Sequence, residues 1–304
     1  MSPAPRKPPS HPSPVPAPDG SQAAAPSKPA GGLYIVATPI GNAGDISVRA
    51  LELLRGADLV AAEDTRVTAK LFARYGIATR LTAYHDHNAE RVRPGLLAKL
   101  AGGAAIALVS DAGTPLISDP GYKLVRAALA AGVPVSTLPG PSAVLAALVL
   151  SGLPTDRFLF AGFLASRAER RRRELAELKA VPASLVFFES AQRLADSLAA
   201  MHEILGDRDA AVGRELTKRF EEMRRARLSA LAAQYRTAGP PKGELVVVVG
   251  PPSDAPAELD LDGLLRAALA HQSLRDAADA VAAATGRPRR EVYARALALA
   301  SESP

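Results

Sequence analysis

The sequence predicts an α/β chain of two successive units followed by a helix-turn-helix. Three observations predict it. Short apolar runs alternate with amphipathic stretches between Leu33 and Gly250, segments rich in Gly, Pro and Asp recur directly after those runs, and beyond residue 260 the pattern turns wholly helical. The 304 residues suit two domains or a little more. With 48% apolar residues the chain can build sizeable cores. The absence of cysteine excludes disulfides, thiolate metal centres and thiol nucleophiles. A reducing, cytoplasmic setting is the expectation.

Residues 1–30 are mostly Pro, Ala and Ser and read as a disordered tail without the apolar centre of a signal peptide. A first α/β unit is expected over 31–152. "LYIVAT" (33–38) is its first strand, and "SVRALELLRGA" its first helix, with Val48, Leu51 and Leu54 on one face. "DLVAAE" (58–63) is a second strand, with Asp64 or Thr65 capping the next helix. "AAIALVS" (104–110) is a buried strand. Asp119 as N-cap with Pro120 at the first position predicts a helix whose apolar face is Leu124, Val125, Ala128 and Leu129, stopped at Gly132. "VPVSTL" (133–138) is a strand, and "PGPSAVLAALVLSG" turns into a helix ending near Gly152.

A second unit is expected over 153–250. It holds strands "RFLFAGF", "ASLVFFES" and "ELVVVVG", an Arg-rich helix, and a helix marked by Leu194, Leu198, Met201 and Leu205. Arg214 to Arg227 suits an exposed strand or loop. The alternation predicts largely parallel sheets covered on both faces. Residues 251–259 read as a linker. Within 260–304, "SLRDAADAVAAATG", closed by Gly286, and "RPRREVYARALALA" form the helix pair. Such a pair either docks on nucleic acid through Arg287, Arg289, Arg290 and Arg295 or packs as a plain hairpin. No stretch is apolar over about 18 residues, so no membrane span is expected.

The chain has no G-x-G-x-x-G, Walker A or G-x-S-x-G sequence. In "YHDHN" (84–88), His85 and His87 lack an obvious third ligand, and no metal site is expected. Four turn-rich loops instead follow strands, where α/β sheets bind ligands: "TPIGNAGD" (38–45), "AEDTR" (62–66), "SDAGTPLISDPG" (110–121) and "PGPSA" (139–143). Four such loops on one edge line a cleft.

With "YHDHN", "GLPTDRF", "FFES", "RELTK" and "KGELV", these loops resemble the ribosomal RNA small-subunit methyltransferase I family of the tetrapyrrole-methylase superfamily, in order from Leu33 to about Gly250. The terminal helix pair is similar to that family's C-terminal helix-turn-helix domain. The resemblance implies a two-domain tetrapyrrole-methylase-like fold with S-adenosylmethionine in a cleft between the domains, and a homodimer. It also implies methyl transfer to the ribose 2′-hydroxyl of a cytidine in the decoding region of 16S rRNA, free or in the 30S subunit. Two positions depart from the family pattern: Gln192 stands where His is usual, and Ala226 where Gly is usual. A small-molecule methylase on the same fold, and a non-catalytic RNA-binding assembly protein, are the rival readings.

The superfamily's second glycine-rich cofactor loop falls on Asp111, Gly113, Thr114, Ile117 and Ser118. Pro39, Ser142 and Ala143 are the further cofactor candidates of the first unit. Phe188, Glu189, Arg214, Glu215, Leu216 and Gly243 are those of the second. A sulfonium cofactor favours carbonyls and carboxylates over cationic neighbours. A ribose hydroxyl is a weak nucleophile, so a base helps. Glu63 and Asp64 are candidates for it, with Arg66 and Lys218 for substrate phosphate or oxyanion. An ion pair plus helix cap is the alternative role of Glu63 to Arg66. The net charge is +6, concentrated in the second unit. The run holding Arg170, Arg171, Arg172 and Arg173 is the expected RNA contact, together with Arg287, Arg289 and Arg290.

Overall fold

The structure is a computed structural model that describes residues 28–119, 121–252, 261–285 and 287–302. The expected tail up to residue 27, Pro120, most of the expected linker and Gly286 lie outside the described residues.

The first sheet contains β1 (Gly32–Val36), β2 (Leu59–Ala62), β3 (Leu81–Ala83), β4 (Ala105–Val109) and β5 (Val135–Leu138). Its order is β3-β2-β4-β1-β5, with every pair parallel. Every residue of β2 and β4 is buried. That is why both read as unbroken apolar runs rather than alternating ones.

Helices α1 (Val48–Gly56) and α2 (Thr65–Tyr75) pack on the face that holds Val36, Val60 and Val109. Helices α3 (Ala89–Ala101) and α4 (Tyr122–Ala130) pack on the face that holds Leu33, Ile106 and Leu108. The neighbouring strands β1 and β4 therefore send their chains to opposite faces. This is the topological switch point at which α/β sheets open a crevice.

Three details differ from the sequence reading. Helix α4 begins at Tyr122 behind Gly121, not at Asp119. Gly121 has φ 137°, and a Cβ there would come within 2.8 Å of Leu108 Cδ2, so the chain turns tightly before the helix can start. Val48 and Leu129 are 71% and 58% exposed. The core faces of their helices are carried by Ala50 with Leu54 and by Leu124 with Ala128.

Helix α5 (Ala143–Ser151) crosses to the second sheet. Val144, Ala147 and Leu148 join Val186, Val246 and Val248 in one apolar cluster that also takes Ile40 and Leu216. That sheet contains β6 (Phe158–Phe163), β7 (Ser184–Glu189), β8 (Asp209–Arg214), β9 (Glu222–Arg227) and β10 (Leu245–Val249), in the order β6-β7-β10-β8-β9.

Only β6 and β7 run parallel. The expectation of a largely parallel sheet holds for the first unit and fails for the second. The link from β8 to β9 carries no crossover helix, and a short link can only reverse the chain. Helices α6 (Ala168–Leu178), α7 (Leu194–Leu205) and α8 (Leu228–Ala238) share a core with this sheet. Ala226 pairs with Ala210 in the β8–β9 ladder, an ordinary strand position that needs no glycine.

Among the described residues the end of the chain holds three helices, not two: α9 (Leu261–Leu269), α10 (Leu274–Thr285) and α11 (Arg289–Glu302). Leu265, Ala278, Val281, Val292, Ala296 and Leu299 form their core. Arg295 bonds Asp262 across it, and Arg289 bonds Asp279.

Candidate active site

Loops 38–45, 62–66, 110–121 and 139–143 all leave the carboxyl ends of β1, β2, β4 and β5, on one edge of the first sheet. The first and third are stitched together. Thr38 N–H donates to Gly113 O at 2.8 Å, and Gly113 N–H donates to Thr38 O at 2.9 Å. This two-bond bridge stands at the switch point. On one side lies a cavity of about 450 Å³ between the two units, and on the other a cavity of about 290 Å³ beneath α2.

The larger cavity brings together Gly113, Thr114, Ile117, Ser118, Ser142 and Ala143 of the first unit with Phe188, Glu189 and Gly243 of the second. Its lining also includes Asp119, Phe163 and Glu244, which sequence reasoning missed. All three lie inside stretches already singled out, but Asp119 reads there as a helix cap and Phe163 and Glu244 as strand ends. Phe163 and Phe188 pack at 5.4 Å between ring centroids, tilted by 58°, and make an aromatic wall. Ile117 is 44% exposed on the facing loop.

The backbone on both sides of this cavity is unusual. Leu116 and Ser118 have φ of 73° and 64° in the first unit, and Glu215 and Thr217 have φ of 50° and 64° in the second. Such values are costly for residues other than glycine and cluster where a ligand is held. Gly162, at a register shift in β6, brings its backbone beside Ser118: a Cβ there would lie 3.7 Å from Ser118 Oγ.

Several expected residues have other duties. Asp64 caps α2, accepting the Arg66 backbone N–H at 2.8 Å, and grips the Arg66 guanidinium at 2.6 Å. The side-chain bond from Arg66 and the capping bond hold its carboxyl down at about 2. A group so acidic is a poor base, so the cap-and-pair alternative is the one the structure realises. Lys218 Nζ lies 2.9 Å from Glu215 and 3.0 Å from Glu244. Burial disfavours its charge, but these two carboxylates outweigh burial and keep it protonated. Leu216 is buried in the apolar cluster between the sheets, and Arg214 pairs with Glu222 at 3.0 Å. Glu189 lines the cavity with its carboxylate already committed to Ser190, Ser197 and Arg193. Pro39 and Asp111 line the smaller cavity.

Three other carboxylates converge at the ends of β2 and β4. Glu63 Oε2 accepts the Asp111 N–H at 3.2 Å, and Asp111 Oδ1 accepts the Asp64 N–H at 3.0 Å. Burial raises both above the ordinary range against the pull of those bonds, with neighbouring negative charge adding to the rise. Asp119 is pushed from 3.8 to about 6, first by burial and further by Glu63 and Asp111, while a Ser110 hydrogen bond opposes the shift.

The basic run on α6 is not an open track. Arg171 is buried, Arg170 pairs with Glu174 and Arg172 with Glu203, while Arg173 stays exposed. The expectation that Arg171 touches RNA is thereby corrected: its side chain is buried, with Nη1 donating to Ser166 O. Among the terminal arginines Arg287 and Arg290 are exposed.

A family model described as "Tetrapyrrole (Corrin/Porphyrin) Methylases" matches residues 32–232, and one described as "RsmI C-terminal HTH domain" matches residues 255–300. The chain is similar to "Ribosomal RNA small subunit methyltransferase I" of Mesorhizobium japonicum, 56% identical over 284 residues, covering 92% of this chain and 95% of the relative. It is 53% identical over 269 residues to the protein of the same description from Erythrobacter litoralis, covering 88% and 95%. Its fold is similar to that of uroporphyrin-III C-methyl transferase from Thermus thermophilus, solved in complex with S-adenyl homocysteine. The TM-score is 0.51 with 23% identity, covering 72% of this chain and 97% of that one. The chain belongs to the tetrapyrrole methylase family, among its ribosomal RNA small subunit methyltransferase I members.

Proposed function

We propose that this chain transfers a methyl group from S-adenosylmethionine to the ribose 2′-hydroxyl of a cytidine in the decoding region of 16S rRNA. The observation that carries the reading is the inter-unit cavity, which suits a cationic nucleoside cofactor. Among the described residues its lining holds no Lys or Arg, while Asp119 offers a carboxylate and Glu244 a second that also pairs with Lys218. Phe163, Phe188 and Ile117 provide an apolar bed for a purine ring, and Thr114, Ser118 and Ser142 provide hydroxyls for a ribose and an amino-acid end. A volume of about 450 Å³ lies within the usual range of small-molecule sites.

When bound, the cofactor supplies an electrophilic methyl on a sulfonium. The chain's own part is positioning and proton removal. Asp119 lies in this lining and titrates near 6, so it is ionised at neutral pH yet basic enough to take a hydroxyl proton. As the ribose oxygen–carbon bond forms and the methyl–sulfur bond breaks, the bonding pair stays on sulfur and the hydroxyl proton passes to the Asp119 carboxylate. Burial first, and then the negative charge of Glu63 and Asp111, hold that carboxylate in its basic range. Lys218, fixed by Glu215 and Glu244, braces the second unit's loop.

We further infer a first domain over 31–152, a second over 153–250 and a terminal helical domain over 260–304. A homodimer is part of the same proposal. Leu145 and Val149, one turn apart on α5, are 50% and 70% exposed, an apolar stripe suited to a second copy. Arg173, Arg287 and Arg290 remain candidates for RNA contact. No helix among the described residues is long and apolar enough to cross a membrane, in keeping with a substrate in the cytoplasm.

The test is to incubate the protein and labelled S-adenosylmethionine with 30S subunits from a strain lacking this enzyme, then map the label. A single methylated cytidine ribose is expected. A base methyl, or an unlabelled RNA, overturns the reading.

A further inference from the structure

Helix α2 carries a feature that the sequence reading did not single out. Arg66, Lys70 and Arg74 are spaced four residues apart and all exposed, so they form one basic stripe along a single helix face. Each step advances about 6 Å along the axis, comparable to the distance between neighbouring phosphates of an RNA strand. Arg66 is tied to Asp64. Lys70 and Arg74 make no ion pair or hydrogen bond among the described residues, unlike Arg170 and Arg172 on α6.

Beneath this stripe lies the cavity of about 290 Å³. Its lining joins Lys70 and Arg74 to Pro39, Thr68, Ser110 and Asp111. It has hydroxyls, an apolar surface and one carboxylate at its floor, with two cations at its side. Its volume is at the small end for ligand pockets, enough for one nucleoside. It adjoins the larger cavity, with the Thr38–Gly113 bridge between them.

We propose that this cavity receives the nucleotide next to the target in the substrate RNA strand, with the target ribose itself reaching the larger cavity, and that Lys70 and Arg74 hold the flanking phosphates. The proposal rests on the rRNA methyltransferase reading and names where its substrate enters. Phosphate contacts of this kind position the strand without reading sequence. The apolar wall and the Asp111 carboxylate face the sugar or base.

The test compares the wild type with Lys70→Glu/Arg74→Glu and with the milder Lys70→Gln/Arg74→Gln, using 30S subunits from a strain lacking the enzyme. For both variants KM for subunits should rise at least tenfold. Calorimetric affinity for S-adenosylmethionine should stay within twofold, and the melting temperature should be unchanged. The slope of log affinity for RNA against log salt should flatten by roughly 1.4, two phosphate contacts' worth for a single strand. If both variants keep KM within twofold, or lose cofactor affinity in parallel, the inference is wrong. If the wild type itself leaves the subunits unmethylated, it is the functional reading that fails, and the inference falls with it.

Discussion

Gly41 and Lys218 stand in contact across the two units. A Cβ built on Gly41 would overlap Lys218 Cγ and come within 2.9 Å of Thr217 Oγ1, which itself accepts the Asn42 N–H at 3.1 Å. The first loop of one unit is thus seated directly in the strained loop of the other. Gly41→Ala should wedge the two apart. Overpacking of this kind costs about 1–3 kcal/mol, so the melting temperature should fall by several degrees. Calorimetry should show S-adenosylmethionine affinity down about tenfold. Unchanged affinity would mean that closure of these loops does not shape the cavity.

Ile117 presents an exposed aliphatic side chain to the larger cavity. Because it makes little core, Ile117→Ala should leave thermal stability within about a degree while weakening cofactor binding roughly fivefold, the loss of a few methylene contacts. Equal losses of stability and binding would show that the residue supports the loop rather than the ligand.

Asp119 and Asp64 should separate cleanly in kinetics. Asp119→Asn removes the proposed base, and kcat should fall about a hundredfold or more. The acid limb of the pH profile near 6 should vanish with it. Asp64→Asn keeps a capping side chain on α2 and removes a carboxylate held at about 2, so kcat should change by no more than a few-fold. The reverse ranking would reassign the base.

The same carboxyl has a thermodynamic signature. Asp119 titrates near 6 in the folded chain against an ordinary 3.8. Between those values the folded state holds the extra proton, so this group's contribution to stability falls as pH rises through that window. Melting curves of Asp119→Asn and wild type should coincide below pH 4 and diverge to about pH 6, with the variant the more stable. A constant offset would contradict the shift.

Arg171 should behave as a core residue. Arg171→Ala should lower the melting temperature by several degrees through lost packing, with RNA affinity of the remaining folded protein unchanged in a filter-binding assay. Arg173→Ala, on the exposed side, should leave stability untouched.

Much of the architecture was legible because β2 and β4 are buried on both faces and so write themselves as apolar runs. The strand β8 was missed. Its "DAAVGR" has charged ends and mostly small residues between them, and its burial depends on β10 and β9 arriving from either side. The third terminal helix, α9, follows a stretch that read as a linker. At the site, the loop 110–121 was legible as a ligand loop from its turn chemistry. The division of labour within it was not. Asp119 reads as a helix cap by sequence, and only the left turn at Gly121 frees its side chain for the cavity. Likewise nothing local in "AEDTR" distinguishes the capping Asp64 from Glu63, which accepts the Asp111 N–H of the neighbouring strand's loop.

The pair of hydrogen bonds between Thr38 and Gly113 bears on the order of events in a catalytic cycle. The two adjoining cavities share no lining residue, so cofactor and strand bind on separate sets of side chains. Spent cofactor can then be exchanged while the nucleic acid stays seated, and initial-rate plots should show random-order addition with no obligatory first ligand.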